Sequence, residues 1–266
     1  MKTWRLIQLE SYNAFMNMAI DEAILTSRIE NLIPNTIRFY QWTPSAISIG
    51  KNQNIKEQVY PAALAHFGVD VVRRTSGGGT VYHDTDGEIT YSITAKTSDL
   101  GSDVTVVYSK IYSSITDSLR LLGIPADFVD SNGKNCPNLT VSGKKISGSA
   151  QTVKRKTIQQ HGTILLTVNL ERMFQLLRLK GFDCGLAAEI GKRKITSIKN
   201  ELKHDISNST VVNALTQGFK AILKINIETG GLTLYEKALA KKLYDTKFST
   251  EKWNNKIHIS SSLNTT

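Results

Sequence analysis

The chain has 266 residues, enough for one large domain or two modest ones, and its 40% hydrophobic and 21% charged residues are the balance of an ordinary globular protein. Thirty-three basic against twenty-three acidic side chains leave +10, but the lysines are dispersed (Lys144-Lys145, Lys192-Arg193-Lys194, Lys241-Lys242) without interleaved aromatics. A solvated basic surface, open to an acidic protein partner, is therefore favoured over a nucleic-acid groove.

Charge interrupts the N-terminal Met1-Lys2-Thr3-Trp4-Arg5, and no apolar run approaches the ~18 residues of a membrane span, so a cytoplasmic location is expected. Cys136, Cys184 and five scattered histidines form neither a disulfide framework nor a metal-ligand spacing. Asn13 is a good N-cap ahead of apolar positions Phe15, Met18, Ala19 and Ala23, which predicts a first helix packed on a sheet. Residues 36–42 and 46–50 predict two strands around a Thr43-Pro44 turn, and 55–67 a helix broken or restarted at Pro61 and stopped at Gly68.

Residues 69–84 then read as a strand, a glycine turn and a second strand, with Val69, Val71 and Val72 before Gly77-Gly78-Gly79 and Thr80, Val81 and Tyr82 after. Residues 88–94 alternate as a half-buried strand should, and 104–122 carry an apolar stripe (Val104, Val107, Tyr108, Ile111, Ile115, Leu119, Leu122) with a glycine stop at Gly123. A hairpin follows, out through Leu139-Thr140-Val141, round Ser142-Gly143 and back along a strand carrying Lys145. Residues 160–168 predict a strand, and 170–179, 207–223 and 234–243 predict helices. The Ser-, Asn- and Thr-rich 255–266 predict a loose tail. The expectation is an α/β fold, a mixed β-sheet flanked by helices, in one domain over 1–254.

Two stretches carry chemistry. Three contiguous glycines exceed what a hairpin needs and let backbone N–H groups approach an anion, with Arg73 and Arg74 supplying charge. The pattern is neither Gly-x-Gly-x-x-Gly nor a P-loop. Lys145 stands just past a hairpin turn, where a lysine is usually solvent-exposed and inert. The small Ser147, Gly148, Ser149 and Ala150 nevertheless leave room beside it for a planar or phosphate-bearing ligand.

Arg73-Arg74-Thr75-Ser76-Gly77-Gly78-Gly79-Thr80-Val81-Tyr82-His83-Asp84 resembles the signature of the lipoate-protein ligase family, and the Gly-Arg-Gly-Arg motif of the biotin ligases is absent. Gly143-Lys144-Lys145-Ile146-Ser147-Gly148-Ser149-Ala150-Gln151 is similar to that family's second segment, and His161-Gly162 also resembles it. Met18-Ala19-Ile20-Asp21-Glu22-Ala23 is similar to its first helix, whose acidic residue lies near the site entrance. Residues 244–254 resemble the close of archaeal-type catalytic domains.

The resemblance implies the biotin/lipoate protein ligase catalytic-domain fold and an ATP-dependent ligase, with Mg2+ accompanying ATP and no metal cage of its own. Lipoate would become lipoyl-AMP, then be passed to a lysine of a lipoyl acceptor domain or protein. By the same resemblance Arg74, Gly77, Gly78, Gly79, Thr80, Val81, Tyr82, His83, Lys145, Ser149 and Ala150 would bind ATP and lipoyl-AMP, Lys145 would be catalytic, and His161 would be an acyl-channel candidate. Longer ligases continue into a small accessory domain, so a separate accessory subunit is expected.

Two alternatives stay open. A cysteine-dependent octanoyl or lipoyl transferase of the same superfamily needs an activated thiolate. Cys136 precedes the Lys145 hairpin, at a spacing unlike that associated with such transferases, and Ile158-Gln159-Gln160 lacks the cysteine another transferase group has beside His-Gly. Cys184 reads as a structural thiol. The other alternative, a non-enzymatic basic nucleic-acid-binding module, has no helix-turn-helix segment to support it.

Overall fold

The computed structural model of the chain describes residues 1–129 and 137–256. From the N-terminus, β1 (Thr3–Tyr12) and α1 (Ala14–Ile29) lead into β2 (Thr36–Trp42) and β3 (Ala46–Ile49). Helices α2 (Ile55–Gln58) and α3 (Pro61–Phe67) precede β4 (Asp70–Arg73), β5 (Val81–His83) and β6 (Glu88–Lys96). Then come α4 (Thr97–Leu100), α5 (Val104–Leu121), β7 (Asp127–Val129), β8 (Asn138–Val141), β9 (Lys144–Lys154) and β10 (Thr157–Leu165). The remainder is α6 (Leu170–Leu176), α7 (Cys184–Lys194), α8 (Ile198–Leu202), α9 (Asn208–Leu223), β11 (Asn226–Thr229), α10 (Leu234–Leu243), a wide helical turn Tyr244–Phe248 and α11 (Glu251–Asn254).

The strands form a mixed eight-stranded sheet in the order β11-β1-β2-β6-β10-β9-β8-β7 and a three-stranded sheet in the order β4-β3-β5. β11, β1 and β2 run parallel, and every pairing from β2 to β7 is antiparallel. One core packs the stripes of α5 (Ile111, Ile115, Leu119) and α9 (Val211, Leu215, Phe219) against the large sheet. A second joins α1 to Tyr40, Trp42, Val72 and the C-terminal Ala240 and Phe248, and a third lies under the small sheet with Leu176. This is the expected mixed α/β architecture.

Local chemistry explains the boundaries. Asn13 caps α1 by accepting from the Met16 N–H at 2.9 Å, Asp103 caps α5, and Thr233 with Glu236 closes a capping box on α10. The expected helix over 55–67 is two helices, with Pro61 starting the second. β6 is buried on both faces from Glu88 to Ala95, not half-buried, because helices cover both sides of this central strand. Its polar side chains find partners: the Thr90 hydroxyl donates to Glu88 and accepts from the Trp42 indole. Val104 is half-exposed, since the stripe of α5 reaches the sheet only one turn later. The strands flanking the glycine turn do not pair with each other; β3 lies between them. The expected tail and Cys136 fall outside or at the edge of the description: residues 257–266 and 130–136 are not among the described residues.

Candidate active site

A cavity of about 1140 Å³ is bounded by both sheets and closed by the 173–179 stretch of α6 and its exit. Of the residues singled out in the sequence, Arg74, Gly78, Gly79, Thr80, Val81, Tyr82, His83, Lys145, Ser149, Ala150 and His161 all line it. Gly77 is not a lining residue; it gives its carbonyl to Arg74.

The glycine turn is shaped from two sides. Arg74, buried, donates from Nη2 to the carbonyls of Gly77 (2.8 Å) and Gly79 (2.6 Å) and from Nη1 to the carbonyl and hydroxyl of Ser48 (both 3.0 Å). Those carbonyls are drawn inward, so the amide edge of the turn is the side available to a ligand. Across the turn, Gly50 packs so closely that a Cβ there would overlap the Gly78 carbonyl oxygen. Gln53 accepts from the Gly50 N–H at 2.8 Å and lies, with Gln58, within hydrogen-bond reach of the Thr80 hydroxyl.

Lys145 reaches the cavity through an irregularity of the sheet. Thr140 pairs with Lys145, but the next pair is Leu139 with Ser147, so Ile146 is one residue too many on β9. A bulge of this kind re-aims the flanking side chain. The result is that the Lys145 ammonium lies over Gly148: a Cβ on Gly148 would stand 2.6 Å from Nζ. The backbone of Lys145 is fixed from the far side, where its carbonyl accepts from the Thr196 N–H at 2.9 Å.

Two buried polar relays support the cavity wall. His161 is engaged at both ring nitrogens: Nε2 meets the Ser76 hydroxyl at 2.7 Å and Nδ1 meets Asp21 Oδ2 at 3.3 Å. Arg38 and the Tyr40 hydroxyl complete the Asp21 shell at 2.8 and 3.1 Å. Burial alone would raise the Asp21 carboxyl, but His161 and Arg38 outweigh it and hold it below its ordinary value. The Tyr40 hydroxyl is pushed well up by burial and by Asp21. In the second relay His83 Nδ1 bonds Glu88 at 2.7 Å, Nε2 bonds Ser48 at 2.8 Å, and the ring stacks on Trp42 with centroids 3.9 Å apart. In both relays a carboxylate faces Nδ1 and a serine hydroxyl faces Nε2, so each ring is held in one orientation.

Asp21 therefore lies beneath the cavity, not at its entrance, and Glu22 pairs with Lys247. Sequence reading missed Ser48, Gln53, Gln58 and Glu88. Ser48 had a signal, a hydroxyl between Ile47 and Ile49 in an apolar strand; the glutamines, in an ordinary polar loop, had none.

Residues 13–220 match the family model of the lipoyl protein ligase A/B catalytic domain. Octanoyltransferase LipM of Brevibacillus brevis is 33% identical, with 96% of this chain and 99% of that one covered. The LipM octanoyltransferase of Bacillus subtilis is 31% identical over the same shares. Among solved structures, a bipartite lipoate protein ligase from Thermoplasma acidophilum, studied with its E2 lipoyl domain, superposes with a TM-score of 0.84 at 26% identity, covering 99% of this chain and 100% of that one. A lipoate-protein ligase A bound with ATP gives 0.83 at 28% identity, covering 96% and 99%. The fold expectation stands. The expectation of an ATP-dependent lipoate-protein ligase activity is corrected, because the named relatives that span almost the whole chain at 31–34% identity are octanoyltransferases.

Proposed function

The chain belongs to the lipoyl protein ligase A/B catalytic domain family, and we propose on that footing that it transfers an octanoyl group from a thioester donor to a lysine of a lipoyl acceptor domain. The observation that carries this reading is the likeness to octanoyltransferases along 94–96% of the chain. The geometry supports it. Met18, Trp42, Met173, Phe174 and Leu177 offer an eight-carbon chain apolar walls, and Lys145 stands over Gly148 on the same cavity.

Two acyl exchanges make up the reaction. A thiolate attacks the donor's thioester carbonyl, the donor sulfur leaves with the electron pair, and an enzyme thioester results. The neutral amine of the acceptor lysine then attacks that carbonyl, the enzyme sulfur leaves, and the amine's surplus proton is lost as the amide forms. In both steps negative charge develops on the carbonyl oxygen, where the Lys145 ammonium and the amide edge of the glycine turn stabilise it. Of the two cysteines, Cys184 opens α7 and is not a cavity-lining residue, whereas Cys136 directly precedes the cavity-lining Pro137 in sequence. Cys136 is accordingly the proposed acyl carrier. A thioester brings its own leaving group, so this reaction requires neither ATP and magnesium nor an accessory subunit.

The test is the intact mass of a lipoyl acceptor domain after incubation with the chain and octanoyl-loaded carrier protein without ATP. A gain of one octanoyl group, lost with Cys136→Ser and kept with Cys184→Ser, is expected. A gain only from free acid plus ATP would overturn the reading.

A further inference from the structure

The glycine turn leans on residues 50–53, and those residues hang from a single buried cation. Arg73, fully buried, donates from Nη1 to the carbonyls of Gly50 (3.2 Å), Lys51 (3.0 Å) and Gln53 (2.6 Å). Its other donors go to the C-terminal helix: Nη2 to the Asn254 carbonyl at 2.8 Å and Nε to the Trp253 carbonyl at 3.2 Å. The contact is reciprocal. The Arg73 N–H donates to the Asn254 side-chain oxygen and the Trp253 indole donates to the Arg73 carbonyl, both at 2.8 Å. Asn254 is itself fixed, its amide donating to the carbonyls of Phe248 (2.7 Å) and Thr250 (3.1 Å).

No carboxylate among the described residues pairs with Arg73, and burial lowers its pKa. Among the described residues its charge is met by carbonyl dipoles. Such an arrangement is sensitive to geometry, because each lost carbonyl exposes buried charge. From residues 50–53 the support passes on at three points: Gly50 packs on Gly78, the Lys51 N–H donates to the Ser76 carbonyl at 2.9 Å, and Gln53 approaches the Thr80 hydroxyl.

We propose that Trp253 and Asn254, although more than 170 residues away in sequence, are positioning residues that set the height of the Gly77–Gly79 turn over the acyl site by way of Arg73 and residues 50–53. Neither residue lines the cavity. They act on substrate only through the turn, so their loss weakens donor binding more than it slows the chemical step at Lys145. The kinetic half of this statement rests on the octanoyl-transfer reading; the structural half does not.

The experiment uses the full chain with Asn254→Ala, which removes the side-chain acceptor of the Arg73 N–H and the amide that fixes residue 254, and Trp253→Phe, which keeps the ring against Phe248 but deletes its donor to the Arg73 carbonyl. Backbone hydrogen exchange is followed by peptide in both. Exchange is expected to rise about tenfold or more in 50–54 and 76–80 while β6 and β10 keep their protection, as for a local opening. With octanoyl-loaded carrier protein, KM is expected to rise about tenfold with kcat within about twofold of the parent. Unchanged exchange at 76–80 in folded variants would overturn the proposal, and so would a uniform rise that includes β6 and β10. If the parent itself transfers nothing from the thioester, the octanoyl-transfer reading fails, and the exchange data still decide the link.

Discussion

Substituting Gly148 with alanine moves the proposed catalytic lysine without removing it. A Cβ at this position would stand 2.6 Å from Lys145 Nζ and 2.7 Å from Cε, while non-bonded carbons rest at about 3.5–4.0 Å, so the ammonium must retreat by about 1 Å. A displacement of that size at a group that polarises a carbonyl costs roughly 100-fold in rate. Gly148 lies on β9 without a left-handed backbone, and the new Cβ meets only side-chain ends, those of Lys145 and Asn138, so the fold should be kept with a stability change of no more than about 1 kcal/mol. The assay is the initial rate of acceptor octanoylation, paired with thermal unfolding. The expected signature is a rate loss of roughly two orders of magnitude in a protein that stays folded at near-parental stability. A parental rate from the stable Gly148→Ala protein would refute the placement of Lys145 at the reacting carbonyl.

Lys145→Ala should abolish acceptor acylation by intact mass yet change stability by no more than about 0.5 kcal/mol, since the side chain is exposed. Gly50→Ala drives a methyl into the Gly78 carbonyl; a loss of about 1–3 kcal/mol in denaturant unfolding, with weakened donor binding, is expected. Replacing Arg5 by methionine strands Glu236, which accepts from Arg5 at 2.6 and 2.8 Å and is fully buried, and should cost about 3–5 kcal/mol. Acid should act through the same carboxylates. Burial pulls Asp21 and Glu236 upward, but their cationic and hydrogen-bonding partners hold both below the ordinary 3.8 and 4.5. Their stabilisation is complete above those values and is lost as pH falls through the lower folded ones. Thermal midpoints should therefore be insensitive to these groups near neutrality and fall below pH 4.5, less steeply in Glu236→Gln.

Much of this architecture is legible in the sequence because its local signals agree with the global fold. Asn13 announces the first helix and caps it, while α5 is announced by its apolar stripe, and the caps Asp103 and Thr233 of α5 and α10 are found only in the structure. The Ser142-Gly143 turn announces the hairpin that carries Lys145. β1, β7 and β11 escaped notice: β1 mixes charge into its alternation, β7 is only three residues long, and β11 is a short edge strand whose partner is the far N-terminal β1. The bulge at Ile146 is equally invisible, because an extra residue is defined only against the opposite strand. The same holds for Arg73 and Asn254, which read as a charge for the glycine turn and part of a chain end until the fold turns the arginine toward residues 50–53 and the C-terminal helix instead.

The cavity suits acyl transfer from either kind of activated donor, and the reason is chemical. Acyl adenylate and acyl thioester each present a carbonyl carbon that must be polarised, an apolar tail that must be buried, and an amine that must approach. On the proposed reading the glycine turn shaped by Arg74 and the lysine delivered by a bulge serve the first requirement, and the walls of Met18, Trp42, Met173 and Leu177 serve the second, in either case. The Arg74 fork reaches the carbonyls of Gly77 and Gly79, so its task is to shape the amide edge whatever the leaving group. What separates the chemistries is a thiolate that can carry the acyl group between two partners. One side chain decides that, and a Cys136→Ser chain that still bound an octanoyl donor but no longer passed its acyl group to lysine would place the distinction there.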